Sequence, residues 1–339
     1  MASPAFAPPT SRNSYIVLYT EIFLGGLMAY DLEHRLVIGV ASSAVFDLKE
    51  SDDVFKKQGE QEYRKFQEKN LDQYLPTGIA FPFIKRLLSL NDLSPDPIND
   101  PLVEVVLLSR NDPDTGLRVM RSIEHYNLNM TRAIFMQGRS PYKYIPALNI
   151  ALFLSGNKDD VDAAIKAGFP AGQVLNSKFV DDETDSSLRI DFDFDGVLAD
   201  DASESVMQNS GLDEFHANEV KNVMHPHNPG PLKEFLVRMS KIQSVEEKYK
   251  IQNPGYEIRL RISIVTARNA PSHERAVTTL KSWGVMANDA FFLGGIEKGK
   301  VLGILKPHIF FDDQSRHLLS TSEVVPSVHI PFGVINQTN

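Results

Sequence analysis

Short apolar runs alternate with amphipathic stretches along the whole chain, and this rhythm constrains the fold more than any other feature. The runs are "RLVIGVAS", "VEVVLLS", "RAIFMQG" and "IALFLSG" in the first half, then "LRIDFDFD", "RISIVTA", "AFFLGG" and "HIFFDD" in the second. Helix-like segments such as "TGLRVMRSIEHY" and "SHERAVTTLKSW" lie between them. Strand and helix in alternation predict an α/β fold, a mostly parallel sheet covered by helices on both faces. At 339 residues the chain is long for one domain and comfortable for two lobes. The polar stretch 51–70, "SDDVFKKQGEQEYRKFQEKN", predicts one surface helix with a solvated charged face.

The net charge of −9 argues against a general binder of nucleic acid or of anionic membrane. A locally positive site for a small anion stays open. With no cysteine the chain has neither disulfides nor thiolate metal sites, and nothing here supports a secreted origin. Residues 1–30 form an N-terminal extension whose start, "MASPAFAPPTSR", has the composition of a disordered tail. Its end, "YIVLYTEIFLGGLMAY", is too short for a membrane span and carries Glu21 in its middle, so it predicts a buried strand or helix. The expected compartment is the cytoplasm.

The two sets of strands also resemble each other. At an offset of 157 positions (266 − 109), Ser109 falls on Thr266, Gly138 on Gly295, Pro141 on Lys298 and Ser155 on Asp312. At an offset of 152 (193 − 41), Ala41 falls on Asp193 and Ser43 on Asp195. Residues 31–185 therefore read as an α/β lobe that is a degenerate duplicate, with the ionisable groups at these positions lost. Residues 186–339 read as the catalytic domain.

Four elements of that second half carry chemistry, each at the carboxyl end of an expected parallel strand, where open α/β sheets place their sites. "DFDGVL" alternates Asp193 and Asp195 on one strand face, and Gly196 lets the backbone turn away. "SIVTARN" ends an apolar run at Thr266 and Arg268, Lys298 heads a helix-like segment, and "IFFDDQ" ends in Asp312 and Asp313. Converging carboxylates repel by roughly 4 kcal/mol per close pair at an effective dielectric near 20, so they call for a hard cation such as Mg²⁺ and a nearby lysine. A leftover carboxylate is then a nucleophile and another a proton shuttle, the parts list of phosphoryl transfer through an aspartyl-phosphate.

In order and spacing, "DFDGVL", "VTAR", Lys298 and "FFDD" resemble the four motifs of the haloacid dehalogenase (HAD) superfamily. "AFPFIK", "SIEHYNL", "GPLKEFL", "LKSWG" and "KPHIFFDDQ" more closely resemble the cytosolic 5′-nucleotidase I family, from about residue 36 to the end. The resemblance implies a HAD-like Rossmannoid sheet and a small cap insertion at about 197–258. It implies Asp193 as nucleophile, Asp195 as acid and then base, and Thr266 and Lys298 on the phosphoryl oxygens. Mg²⁺ would sit on Asp193, the backbone carbonyl of Asp195, and Asp312 or Asp313, with the choice within that pair open. The implied activity is hydrolysis of nucleoside 5′-monophosphates, AMP first. The competing readings are a phosphatase or phosphotransferase acting on another small phosphomonoester, and a non-catalytic nucleotide-binding protein.

Other residues have plainer expectations. Asp191 is a third acid on the first strand, expected to be buried and hydrogen-bonded rather than catalytic. Arg268 meets a phosphate or ribose, or else forms a surface salt bridge. His225 and His227 have metal-ligand spacing but lack a third ligand, so a loop contact is expected. Trp283 is expected in the core. The loops "SRND" (109–112) and "GRSPYKY" (138–144) either touch the nucleoside or an effector nucleotide, or are interface loops. Helix 51–70 leaves room for a homo-oligomer.

Overall fold

The computed structural model describes residues 30–336, so the N-terminal extension lies, up to residue 29, outside the described residues. In chain order the first half contains β1 (Leu36–Val40), α1 (Ser42–Val45), α2 (Lys49–Gln58), α3 (Glu60–Lys69), α4 (Phe81–Ser89), β2 (Val103–Ser109), α5 (Pro113–His125), β3 (Arg132–Phe135), β4 (Ile150–Ser155), α6 (Lys158–Lys166) and β5 (Ala171–Val174). The second half contains β6 (Leu188–Phe192), α7 (Ala202–Lys221), α8 (Lys233–Gln252), β7 (Leu260–Thr266), α9 (His273–Ser282), β8 (Asp289–Phe292), α10 (Lys298–Leu305), β9 (Ile309–Asp312), α11 (Ser315–Thr321) and β10 (Ser327–His329). No helix among the described residues is long and apolar enough to cross a membrane.

The ten strands of the described residues form one sheet in the order β3-β2-β1-β4-β5-β10-β9-β6-β7-β8. Every pairing is parallel except the seam, where Val328 of β10 lies antiparallel to Val174 of β5. Strand residues alternate between two packed faces, as the period of a strand requires. On one face Ile38, Val105, Leu152, Ile190, Phe192, Ile264 and Phe311 join a single core that runs through both halves. On the other face the cores are separate, one around Val106 and Phe153 with Val161 of α6, the other around Val265 and Phe310 with Leu302 of α10.

The shared core is tied across the seam by two arginines. Arg86 of α4 donates to the backbone carbonyls of Asp182 (2.8 Å) and Asp185 (3.1 Å), just ahead of β6. Arg238 of α8 donates to the carbonyl of Arg35 (3.0 Å) and the side chain of Asn149 (2.8 Å), ahead of β1 and β4. Helix α8 buries Phe235, Leu236 and Met239 completely in that core. The expectation that 197–258 makes one cap is therefore corrected: α8 belongs to the body, and only α7 stands off the sheet with few buried residues, Ser203, Phe215 and Glu219.

The single helix expected over 51–70 is two. Gly59 has φ 83° and ψ −179°, a conformation essentially confined to glycine, and it separates α2 from α3. Helix α7 is kinked in the same way at Gly211, with φ 83° and ψ −177°. These glycines are 152 positions apart (211 − 59). At the other offset, 157, left-handed residues coincide as Asn127 with Gly284, Gln137 with Gly294, Gly138 with Gly295 and Asn149 with Lys306.

Because β5 and β10 are antiparallel, the carboxyl ends of β1–β5 and of β6–β10 lie on opposite edges of the sheet. "SRND" and "GRSPYKY" follow β2 and β3. They are separated from the second-half rim by the length of the strands, about 23 Å for the seven residues of β2. Of the roles left open for them, contact with a nucleoside at Asp193 is excluded. Arg110 is instead held within its own half by Asp160, at 2.6 Å and 2.9 Å.

Candidate active site

Strand β6 lies between β9 and β7, so its carboxyl end is where the chain's crossovers diverge to either side, the crevice in which open α/β sheets hold ligands. Asp193 is the first residue beyond β6. Its N–H still donates to Phe311 O of β9 (2.8 Å), and its Oδ1 accepts from Phe194 N (2.7 Å). Gly196 then turns the chain at φ +70°, and a Cβ there would collide with the Asp313 carboxylate. Glycine serves both the turn and the close approach of Asp313.

Lys298 opens α10, is buried, and places Nζ 2.7 Å from Asp193 Oδ2 and 2.7 Å from Asp312 Oδ2. The remaining capacity of Asp312 is filled by Gln314 N (2.8 Å) and by His317 Nδ1 (3.2 Å). Asp313 is equally buried, yet its Oδ1 has no partner. Thr266 ends β7, is 1% exposed, and its hydroxyl accepts from Arg268 N (3.3 Å). A cavity of about 270 Å³ opens beside Lys298, lined by Ala267, Gly295, Ile296, Arg316 and His317 among others.

The electrostatics follow from three buried carboxylates and one ammonium. Burial raises the Asp193 pKa, Lys298 pulls it down and Asp312 pushes it up again, for a net rise. Burial acts on Asp312 in the same sense, but Lys298 and His317 outweigh it and hold its carboxyl below the usual range. Burial would depress Lys298, but Asp193 and Asp312 more than compensate and keep it charged. Asp313, without a cationic partner of its own, is pushed up to about 9 by burial and by the neighbouring Asp193 and Asp312. The site has more negative groups than positive ones, and one orphaned carboxylate oxygen. Ligand atoms of Asp193, Asp312 and His317 lie within 4.8 Å of one another, but Asp312 and His317 are spent on each other and on Lys298, which leaves the orphaned Asp313 oxygen as the free acidic donor. His317 was missed in the sequence, where it is simply an imidazole five positions after Asp312.

Arg268 is neither at the surface nor free for a phosphate. It is 3% exposed and clamps Asp195 with both edges of its fork, Nη2 to Oδ1 at 2.6 Å and Nε to Oδ2 at 2.7 Å. Its Nη1 pairs with Glu219 and donates to Ser272 O (3.1 Å), and its Cζ lies 5.1 Å and 5.3 Å from the ring centres of Phe194 and Phe215. Burial alone would raise the Glu219 pKa, but the hydrogen bond from His227 and the charge of Arg268 hold it well below the ordinary carboxylate range. Nothing in the sequence marked Glu219, which reaches the site only through the fold.

The histidine pair separates. His227 is buried against Glu219 (3.1 Å), whereas His225 is exposed, so no zinc site forms there. Asp191 is 1% exposed, as expected, and burial pushes its carboxyl up to about 7 against a hydrogen bond with Ser263. Its Oδ2 has no partner, so the hydrogen bonding expected of it is incomplete. Trp283 is half-buried and packs against the shared core.

Comparison with known proteins adds a family to this geometry. The 5′-nucleotidase family matches residues 28–337. Human cytosolic 5′-nucleotidase 1B is 31% identical over 291 residues, which cover 84% of this chain and 47% of the human protein. The chain thus spans about half the length of the curated relative it matches. No solved structure matches it. With the family model matched over almost the whole chain, the protein belongs to the 5′-nucleotidase family.

Proposed function

We propose that this chain is a Mg²⁺-dependent 5′-nucleotidase that hydrolyses nucleoside 5′-monophosphates, AMP first, in the cytosol as the human relative's name has it. The observation that carries the reading is the contact of Lys298 with both Asp193 and Asp312, each at 2.7 Å, at the divergence of β6 and β9. Asp193 attacks the phosphorus in line. The bond from phosphorus to the nucleoside 5′-oxygen breaks as Asp195 protonates that oxygen. Water then attacks the phosphorus of the aspartyl-phosphate, Asp195 takes its proton, and Asp193 is regenerated with release of phosphate. Thr266 and Lys298 bind the phosphoryl oxygens.

The residues present fit a hard divalent cation. Asp193, the backbone carbonyl of Asp195 and the unpartnered oxygen of Asp313 would hold it directly, while Asp312, saturated by Lys298, Gln314 and His317, organises the set. When bound, Mg²⁺ neutralises the carboxylates and the charge that develops on the phosphoryl oxygens.

The matched left-handed residues and the mirrored strand order support reading the first half as a duplicate of this HAD-like unit without its chemistry. Helix α7 is then the cap element. The test is phosphate release from a panel of nucleotides and sugar phosphates, with and without EDTA, for the wild type and for Asp193→Asn. Release confined to nucleotides, and lost with EDTA and with the substitution, supports the proposal. Equal rates on sugar phosphates would make the protein a general phosphatase, and release unaffected by Asp193→Asn would remove the mechanism.

A further inference from the structure

We propose that Glu219 is a positioning residue for the reaction: its carboxylate holds Arg268 in the orientation in which Arg268 clamps Asp195, so that seating of helix α7 orients the acid–base carboxylate. The inference rests on the phosphohydrolase reading above and adds a residue to it.

Glu219 is 1% exposed and fully engaged. Its Oε1 accepts from Ser203 Oγ (2.7 Å) and Arg275 Nη1 (2.8 Å), and its Oε2 meets His227 Nε2 (3.1 Å) and Arg268. Two functions are mixed in this cluster, docking α7 onto the body and fixing Arg268. The first half of the chain separates them. At the offset of 152, Gln67 stands at Glu219, Ser51 at Ser203, Leu75 at His227 and Ser43 at Asp195. At 157, Arg118 stands at Arg275, Ser122 at Thr279 and Asn111 at Arg268.

Two of the docking contacts recur in the first half, while Ser51 Oγ is unpartnered where Ser203 Oγ donates to Glu219. Arg118 donates to Gln67 Oε1 (3.4 Å) as Arg275 does to Glu219. Leu75 N donates to Ser122 Oγ (2.9 Å) as His227 N does to Thr279 Oγ1 (3.0 Å). Gln67 and Ser51 are buried like their counterparts, at 4% and 2% exposed against 1% and 0%. A neutral amide therefore seats α3 on its half without a carboxylate. The charge appears only in the half that has Arg268 and Asp195, and where these are Asn111 and Ser43 the carboxylate is an amide and the imidazole a leucine.

Burying an ionised carboxylate costs several kcal/mol unless a specific partner offsets it, so docking alone would favour glutamine here too. The partner that distinguishes the halves is the Arg268 guanidinium. Asp195 holds its Nε and Nη2, and Glu219 with Ser272 O holds Nη1. A planar fork pinned firmly at both ends keeps one orientation, and with Ser272 O alone holding Nη1 the far end is loosened and the fork pivots.

The experiment is Glu219→Gln, the residue the first half already uses, with Gln67→Glu as its mirror. Glu219→Gln is expected to fold with an unchanged circular dichroism spectrum. Its KM for AMP should move less than about twofold and its kcat should fall about tenfold to a hundredfold, part of what a positioned acid–base group contributes. A crystal structure of the variant should show Arg268 turned off Asp195. Gln67→Glu should leave kcat unchanged. Failure of Glu219→Gln to fold, an unchanged kcat, or an Asp195–Arg268 pair intact in the crystal would each overturn the inference. If the wild type releases phosphate from no nucleotide, the functional reading falls by itself, and the crystal structure still decides the role of Glu219.

Discussion

Asp191 offers the cleanest physical test. It sits on β6 with 1% exposure, and burial pushes its carboxyl from the ordinary 3.8 up to about 7. The unfolded chain ionises it near 3.8 and the folded chain only near 7. Between those values the folded state holds a proton that the unfolded state has lost, so stability falls as pH rises. The three-unit gap is worth about 4 kcal/mol at 1.36 kcal/mol per unit, fully expressed above pH 7 and absent below pH 4. Asp191→Asn keeps the shape and removes the titration. Urea unfolding of both proteins from pH 4 to pH 9 should give stabilities that agree at the acid end. They should then separate by about 1.4 kcal/mol per pH unit, with the variant more stable by about 3–4 kcal/mol at pH 8. Every other carboxyl titrates alike in both proteins and cancels from the difference. Parallel curves across the whole range would refute the reasoning.

Lys298→Met should leave Asp193 and Asp312 facing each other without their shared cation, at a cost of about 3–5 kcal/mol in urea unfolding without metal and with phosphate release lost; an unchanged midpoint would contradict the charge balance described for the site. Gly59→Ala and Gly211→Ala each force a side chain into φ 83° with no atom within 4 Å to clash with, so each should lower stability by about 1–3 kcal/mol through backbone strain alone, read from chemical denaturation.

The parallel sheet and the meeting of Asp193, Asp312 and Asp313 on one rim were legible because their motifs combine a β-rich apolar run with Asp, which a strand interior rejects. Thr266 and Lys298 were legible through the order and spacing of the four motifs. Strands β5 and β10 were not, since "AGQV" and "SVH" are short and carry no apolar run. They are the two that join the halves, so the opposition of the two rims was hidden with them. The break at Gly59 was hidden within a polar stretch whose charges read as one continuous solvated face. The clamp on Asp195 was out of reach for another reason. Arg268, Glu219 and His227 meet only after α7 folds back over β7, and side-chain pairing across such distances leaves no local period. Arg268, read from the sequence as a phosphate ligand or surface ion pair, has its guanidinium taken up by two carboxylates.

The antiparallel seam gives the molecule the geometry of a two-fold dimer written into one polypeptide. In a true dimer two identical rims would perform the same reaction at opposite edges. Here the buried carboxylates and Lys298 gather at one rim, and the other half stands beside it as scaffold. Among the described residues only β3 and β8, four residues each, are edge strands, which limits templating of unwanted strand pairing. A ligand gathered at the silent rim would be out of reach of the reacting phosphate. What the two rims share is the core that both halves fill, with the Arg86 and Arg238 ties across the seam.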